Sequence, residues 1–538
     1  MTAPRRSRRE SAPGARGAAG DAASEPHTSP LTGATLVLGT VALSLATFMN
    51  VLDTSIANVS IPAMAGDLGV SPDQGTWVIT SFGVANAISL PLTGWLTQRY
   101  GQVRLFMASV LLFVLASFLC ALAPTLGLLI AFRVLQGAVA GPMIPLSQSL
   151  LLSSYPKAKA GTALALWGIT TLVAPVVGPV LGGWITDNIS WPWIFYINIP
   201  VGLVAVAVTW MIYRTRETPT RRLPIDAIGL GLLVLWVGAL QIMLDKGKDL
   251  DWFGSTQITI LAITALVGFA VFVVWELTDE HPVVDLRLFG RRNFWTSSLA
   301  MSLAYGAFFG NVVLLPLWLQ QYMGYTATEA GIVLAPVGLL AILMTPFVGR
   351  SLHRVDPRIF ATGAFIVFAL VLYMRSKFNT SADFWTLMVP TLIQGAAMAM
   401  FFIPLVTLSL SGLAPERIPS ASGLFNFARI TTGSFGTSIA TTFWDHRATL
   451  HHAQLVENLT TASPASSQAL AAMQASGLTP GQSYAMLNRL VDQQAFMLSA
   501  NDVFYVSALL FLALIALVWL ARPAAGGAAS GDTAAGAH

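Results

Sequence analysis

Between residues 36 and 521 the chain alternates apolar runs of about 20 residues or longer with short breaks carrying charge, glycine or proline. About 20 residues of α-helix cross the roughly 30 Å of bilayer hydrocarbon, whereas an outer-membrane barrel would show alternating segments of about ten. The chain therefore reads as an all-α polytopic membrane protein. Fourteen spans are predicted, at 36–57, 75–97, 104–123, 126–150, 161–184, 194–213, 227–244, 256–277, 294–320, 328–350, 358–376, 384–412, 420–442 and 503–521. With 55% hydrophobic and 10% charged residues over 538 positions, no ordinary soluble protein fits.

The loops set the orientation. Arg5, Arg6, Arg8, Arg9 and Arg16 lie in the N-terminal tail, and its side of the membrane also collects Arg99, Arg104, Lys157, Lys159, Arg214, Arg216, Arg221, Arg222, Arg287, Arg291, Arg292, Arg350, Arg354, Arg358, Arg417 and Arg522. The other side holds only Lys246, Lys248, Arg375, Lys377, Arg447 and Arg489. The positive-inside rule then places both termini in the cytoplasm. The formal net charge of +4 reflects this loop bias and not a nucleic-acid surface. No metal-ligand pattern, phosphate-binding glycine loop or nucleophile elbow occurs, which argues against an embedded enzyme. Cys120, the single cysteine, lies in an apolar run and reads as a packing residue.

The expected organisation is a disordered basic cytoplasmic tail (1–33), a six-helix half (34–213), a two-helix central insertion (214–280), a second six-helix half (281–522) and a short disordered tail (523–538). The first apolar run starts too late and is too long for a cleavable signal peptide. A repeat supports the halves: GWLTQRYGQVR, Gly94 to Arg104, and GRSLHRVDPR, Gly349 to Arg358, each follow a span on the tail's side. Parallel halves of this kind place a substrate site at their interface near the midplane.

Asp53, in LDTSIANVSIP, is the carboxylate set deepest in an apolar run. A charged Asp at a helix centre costs roughly 2.5–3.5 kcal/mol on insertion scales, so it marks either a protonatable group or an ion pair between helices. Arg133, in RVLQGAVAGP, is one of two basic residues well inside a span; the other is Arg429, in FNFARITTGSFG. Asp226 opens the seventh span, where it reads as a helix cap. APVVGPVLGG combines Pro175 and Pro179, which permit a bend, with Gly178, Gly182 and Gly183, which permit close packing.

These motifs, in this order from about residue 34 to 522, resemble the major facilitator superfamily, in its fourteen-helix drug:proton antiporter branch of EmrB/QacA type. The resemblance implies a major facilitator fold and makes Asp53 and Arg133 the proton-coupling pair. An arginine keeps its proton but responds to the charge on a neighbouring carboxylate. It also assigns conformational roles to Gly94, Arg99, Gly101 and Arg104 after the second span, and an antiporter role to Pro175, Gly178, Pro179, Gly182 and Gly183. Gln98 departs from the pattern, standing where many members carry Asp. Arg429 is expected to be structural.

Asn50, Asn58, Asn86, Gln136, Asn311, Gln320, Gln394 and Asn426 are candidates to line a central cavity, or to bond helices together. The polar segment 445–501 is expected to form short amphipathic helices on the periplasmic face, starting at Ser463-Pro464 and Thr479-Pro480. It would either pack as a lid or, by the family resemblance, dock an EmrA-type periplasmic adaptor leading to a TolC-type outer-membrane channel. The reading is a secondary transporter of the bacterial inner membrane exporting hydrophobic or amphipathic drugs in exchange for protons, with the proton gradient in place of any cofactor. Export of a physiological metabolite or siderophore on the same scaffold is the nearest alternative, and a non-transporting membrane sensor is a third.

Overall fold

The computed structural model describes residues 30–522 except 157–158, 222–223, 225, 281, 353, 458 and 460–462. The expectations for both disordered tails therefore lie largely outside the described residues. Among the described residues there are helices and no strand.

The first half comprises α1 (Gly33–Val59), α2 (Trp77–Ser89), α3 (Thr93–Tyr100), α4 (Gln102–Ala121), α5 (Leu126–Ser154), α6 (Ala160–Asn188) and α7 (Trp193–Tyr213). A hairpin of α8 (Ala227–Lys246) and α9 (Thr256–Thr278) follows. The second half holds α10 (Arg292–Tyr322), α11 (Glu329–Ser351), α12 (Pro357–Arg375), α13 (Phe384–Leu410), α14 (Ile418–Glu457), α15 (Pro464–Ala475) and α16 (Pro480–Trp519). Local chemistry fixes several starts. Asp383 accepts the Thr386 N–H at 3.0 Å, and Thr479 with Gln482 forms a capping box ahead of Pro480.

Eleven of these helices are long and apolar enough to cross a membrane, and the pair α2 and α3, bent by 62°, would make twelve. The stretches expected at 161–184 and 420–442 lie in α6 and α14, which fall outside that set. Among the described residues, apolar length thus supports eleven or twelve crossings; of the two stretches left over, α6 is 29 residues long and contains side chains outside the described residues, so it does not count against the expected fourteen. In α14 the reason is visible in SASGLFNFARITTGSFGTS, whose hydroxyls, Asn426 and Arg429 dilute the apolar residues.

The segment 445–501 departs from the expected set of short helices. No glycine or proline interrupts residues 443–457 or 482–502, so α14 and α16 continue through them as 40-residue helices, each about 60 Å long. Only α15 is short. The long helices pack on each other through Trp444 and Phe496, with ring centroids 5.1 Å apart, while Tyr322 stacks on Phe496 at 4.3 Å. Asp502 accepts hydrogen bonds from Arg447 at 2.7 Å and bonds His451 at 2.8 Å.

The halves repeat one packing device. Gln136-Gly137 in α5 and Gln394-Gly395 in α13 each set a glycine so close to a neighbouring helix that a Cβ would overlap a carbonyl, of Phe82 in α2 and Val337 in α11 respectively.

Between the halves, contact is direct at the ends that carry the N-terminal tail. Gly94 of α3 lies on Ser420 of α14, Gly161 of α6 faces Gly349 of α11, and Gln148 of α5 accepts hydrogen bonds from Ser422 and, at 3.3 Å, Asn426 of α14. Toward the opposite side the hairpin bridges the halves. Lys246 donates to Thr76, which precedes α2, at 2.9 Å and Thr80 of α2 bonds Asp245, while Ser438 and Thr442 of α14 bond the Leu244 carbonyl and Trp252.

Candidate functional site

Four helices of the first half converge on Asp53, about 30 Å along α1 from Gly33 and hence nearer the side opposite the tail. Its Oδ2 meets Arg133 Nη1 of α5 at 2.5 Å. Its Oδ1 accepts from Asn198 Nδ2 of α7 at 2.8 Å and from Gln136 Nε2 of α5 at 3.1 Å. Arg133 also donates through Nε to the Val78 carbonyl of α2 at 3.0 Å and through Nη1 to Gln136 Oε1 at 2.7 Å. Ser117 of α4 accepts from Gln136 at 2.8 Å and from Asn198 at 3.3 Å, closing the network. The guanidinium lies 4.3 Å from the centre of the Phe82 ring. Both charged side chains are fully shielded.

The arrangement follows from local sequence. Arg133 and Gln136 are three residues apart on one helix and so share a face. A buried ion pair is poor evidence of stability, since desolvation offsets its Coulomb energy, but losing one partner strands the other at a cost of about 3–5 kcal/mol. The network can therefore register the charge on a single carboxylate.

Gln136 is thus a partner of Asp53 and not a cavity wall. Most other cavity candidates bond between or along helices in this conformation, the second of the two roles expected of them, although Oδ1 of Asn311 and of Asn426 is shielded without a hydrogen-bond partner among the described residues. Asn50 donates to the Ala140 carbonyl of α5, Asn311 to Ser507 of α16 and the Ala307 carbonyl, and Asn426 to Gln148 across the halves. Gln394 accepts from Arg375 at 2.7 Å. Asn58 and Gln320 are exposed near the far ends of α1 and α10. Asn86 is half-buried, with Oδ1 shielded and without a hydrogen-bond partner among the described residues.

Around the repeat motif, Gly101 adopts φ +88°, a conformation that favours glycine, and ends α3 at the start of α4. Arg99 lies 5.3 Å from the Trp95 ring. Glu217, from the segment after α7, accepts the Val103 and Arg104 N–H groups at 3.0 and 2.8 Å and lies 3.9 Å from the Arg104 guanidinium. A carboxylate thus caps α4 beside the position where Gln98 breaks the family pattern. In the second repeat Asp356 caps α12 and pairs with Arg358 at 2.6 Å. Burial raises the Asp356 pKa, but hydrogen bonds and charge from Arg358 outweigh it and hold the carboxyl below its ordinary value.

In α6, Gly178 packs on Ser55 and Gly182 on Ile56 of α1, whereas a Cβ at Gly183 would meet no described residue closer than Val59, at 3.9 Å. The helix runs through Pro175 and Pro179, whose side chains lie outside the described residues. Asp226 caps α8 by accepting the Ile228 and Gly229 N–H groups, and bonds Trp275 at 2.9 Å. Arg375, counted above with the charges opposite the tail though it falls at the end of the predicted span 358–376, is buried in the last turn of α12 and donates to Thr391 and Gln394. Arg429 is buried with no carboxylate partner among the described residues, between the rings of Tyr305 at 4.7 Å and Phe402 at 5.0 Å.

Asn198, Ser117, Gln148 and Glu217 escaped the sequence reading. Asn198 opens a long apolar run and could have been flagged by that position. Ser117 carries no such signal, since hydroxyls are common in membrane helices.

Residues 43–437 match the family model described as Major Facilitator Superfamily. The chain is 52% identical over 510 residues to the multidrug export protein EmrB of Escherichia coli K12, covering 95% of this chain and 99% of that one. It is 48% identical over 494 residues to the fatty acid resistance protein FarB of Neisseria gonorrhoeae, covering 92% and 97%. Among solved structures it matches the human organic anion transporter MFSD10 (TETRAN) with a TM-score of 0.57 at 12% identity, over 90% of this chain and 99% of that one, a likeness of fold alone. The chain belongs to the Major Facilitator Superfamily, as one of its EmrB-like members.

Proposed function

We propose that this protein is a secondary transporter that exports hydrophobic or amphipathic drugs across the bacterial inner membrane in exchange for protons. Alternating access is the mechanism, and both termini are cytoplasmic. The observation that carries this reading is the Asp53–Arg133 pair, shielded from solvent and held by Asn198 and Gln136, which donate to Asp53, and by the Val78 carbonyl, which accepts from Arg133. The functions for which the relatives are named, multidrug export and fatty acid resistance, support export of amphipathic molecules.

A proton on Asp53 removes the charge facing Arg133. The stranded guanidinium then disfavours this packing by about 3–5 kcal/mol, enough to shift a conformational equilibrium by roughly two to three and a half orders of magnitude. Loosening around Arg133 acts on α1 and, through Val78, on α2, the helix continued by α3, whose Gly94 touches Ser420 of the second half. Proton entry from outside thereby opens the halves toward the cytoplasm, drug binds, and proton release to the cytoplasm resets the pair. One charge crossing supplies about 2.3 kcal/mol per 100 mV.

The paired extensions of α14 and α16 are the surface on which a periplasmic adaptor would dock, making this chain the inner-membrane part of a tripartite pump. The test is purified protein in vesicles carrying an imposed pH gradient. Gradient-dependent dye movement with counterflow of protons is expected; dye movement that ignores the gradient would refute the coupling.

A further inference from the structure

Arg133 of the first half is neutralised within that half, whereas Arg429 of the second half has no counter-charge among the described residues. Arg133 has Asp53, Gln136 and the Val78 carbonyl. Arg429, only 5% exposed, makes no hydrogen bond or ion pair to a described residue, and its Nε is sealed without a partner. Arginine cannot relieve this by giving up its proton. An unpaired buried cation is expensive, and two aromatic rings recover only part of that cost.

The position of Arg429 is as informative as its isolation. Phe402, 5.0 Å from the guanidinium, stacks on Trp167 of the first half with centroids 5.8 Å apart. Asn426, three residues earlier on α14, bonds Gln148 of the first half. Arg429 therefore sits one helical turn above the contact that joins the halves, beside the aromatic layer between them. Separation of the halves there would expose a fixed positive charge flanked by flat apolar surface.

Resting on the export reading above, we propose that Arg429 is a substrate-binding residue that receives the anionic group of an amphipathic organic anion, such as a carboxylate on an aromatic or aliphatic body, while Tyr305, Phe402 and Trp167 receive the body. A carboxylate matches the planar guanidinium fork and supplies the counter-ion that the protein lacks at this point. Cationic amphiphiles of the same body gain the aromatic surface but meet a repulsive charge.

The experiment is equilibrium binding to purified, detergent-solubilised protein without any gradient, using 1-naphthylacetate and 1-naphthylethylammonium as a matched pair. Wild type should bind the anion at least tenfold more tightly than the cation. Arg429→Gln should weaken the anion by tenfold or more and leave the cation within about threefold, with Arg429→Lys retaining much of the preference. A wild type that binds both equally, or prefers the cation, would overturn the proposal whether or not the variants fold. So would an Arg429→Gln protein, monodisperse on a sizing column, that keeps its anion preference. Because no proton gradient enters, failure here is separable from failure of proton coupling in vesicles.

Discussion

Replacing Gly94 with alanine should drive the halves apart at the side that carries the tail. The added Cβ would overlap the Ser420 side chain and lie 2.9 Å from the Ser420 backbone, which cannot swing aside as a flexible side-chain end can. Overpacking of this kind costs about 1–3 kcal/mol, which disfavours the conformation described here by about 5- to 150-fold relative to one in which α3 and α14 separate. Spin labels at Ser153 and Ser351, which end α5 and α11 on that side, report the change as a longer-distance population in pulsed dipolar spectroscopy, on a Cys120→Ser background. Ser420→Gly should recover only part of the original distribution, because the close approach to the α14 backbone remains. An unchanged distance distribution in Gly94→Ala would refute the argument, as would a double variant indistinguishable from Gly94→Ala alone.

Arg133→Leu should destabilise the detergent-solubilised protein by about 3–5 kcal/mol, and the double variant with Asp53→Leu should be markedly more stable than either single one, in thermal unfolding followed by fluorescence. Asn198→Ala removes a 2.8 Å hydrogen bond to a charged carboxylate and should cost about 1.5–3 kcal/mol in the same assay, with reduced proton-driven transport. Glu217→Ala uncaps α4 and should cost about 0.5–2 kcal/mol in the same assay, while binding of naphthylacetate stays unchanged.

Much of the fold was legible because bilayer thickness leaves few solutions for apolar runs of this length. Asp53 and Arg133 were legible for the same reason: a charge in hydrocarbon stands out. Their partners were harder to see, because Gln136, Asn198 and Ser117 look alike in sequence whether they face a cavity or one another. Asn50, Asn311 and Asn426 show the difficulty, as the helix face that each presents depends on packing between helices distant in the chain. The helical extensions of α14 and α16 were hidden for another reason. Polarity in HRATLHHAQLVE signals an exit from hydrocarbon, and it says nothing against a helix that simply continues into water. Glu217 lay in a polar linker, where one carboxylate among many gives no sign that it reaches back to cap α4.

The most direct test of proton coupling at Asp53 is uphill dye efflux from energised cells expressing wild type or Asp53→Asn at matched protein levels, with drug binding measured on the purified proteins and an uncoupler as control. Asp53→Asn is expected to bind drug but no longer pump it against a gradient. Undiminished, uncoupler-sensitive efflux in Asp53→Asn would contradict it.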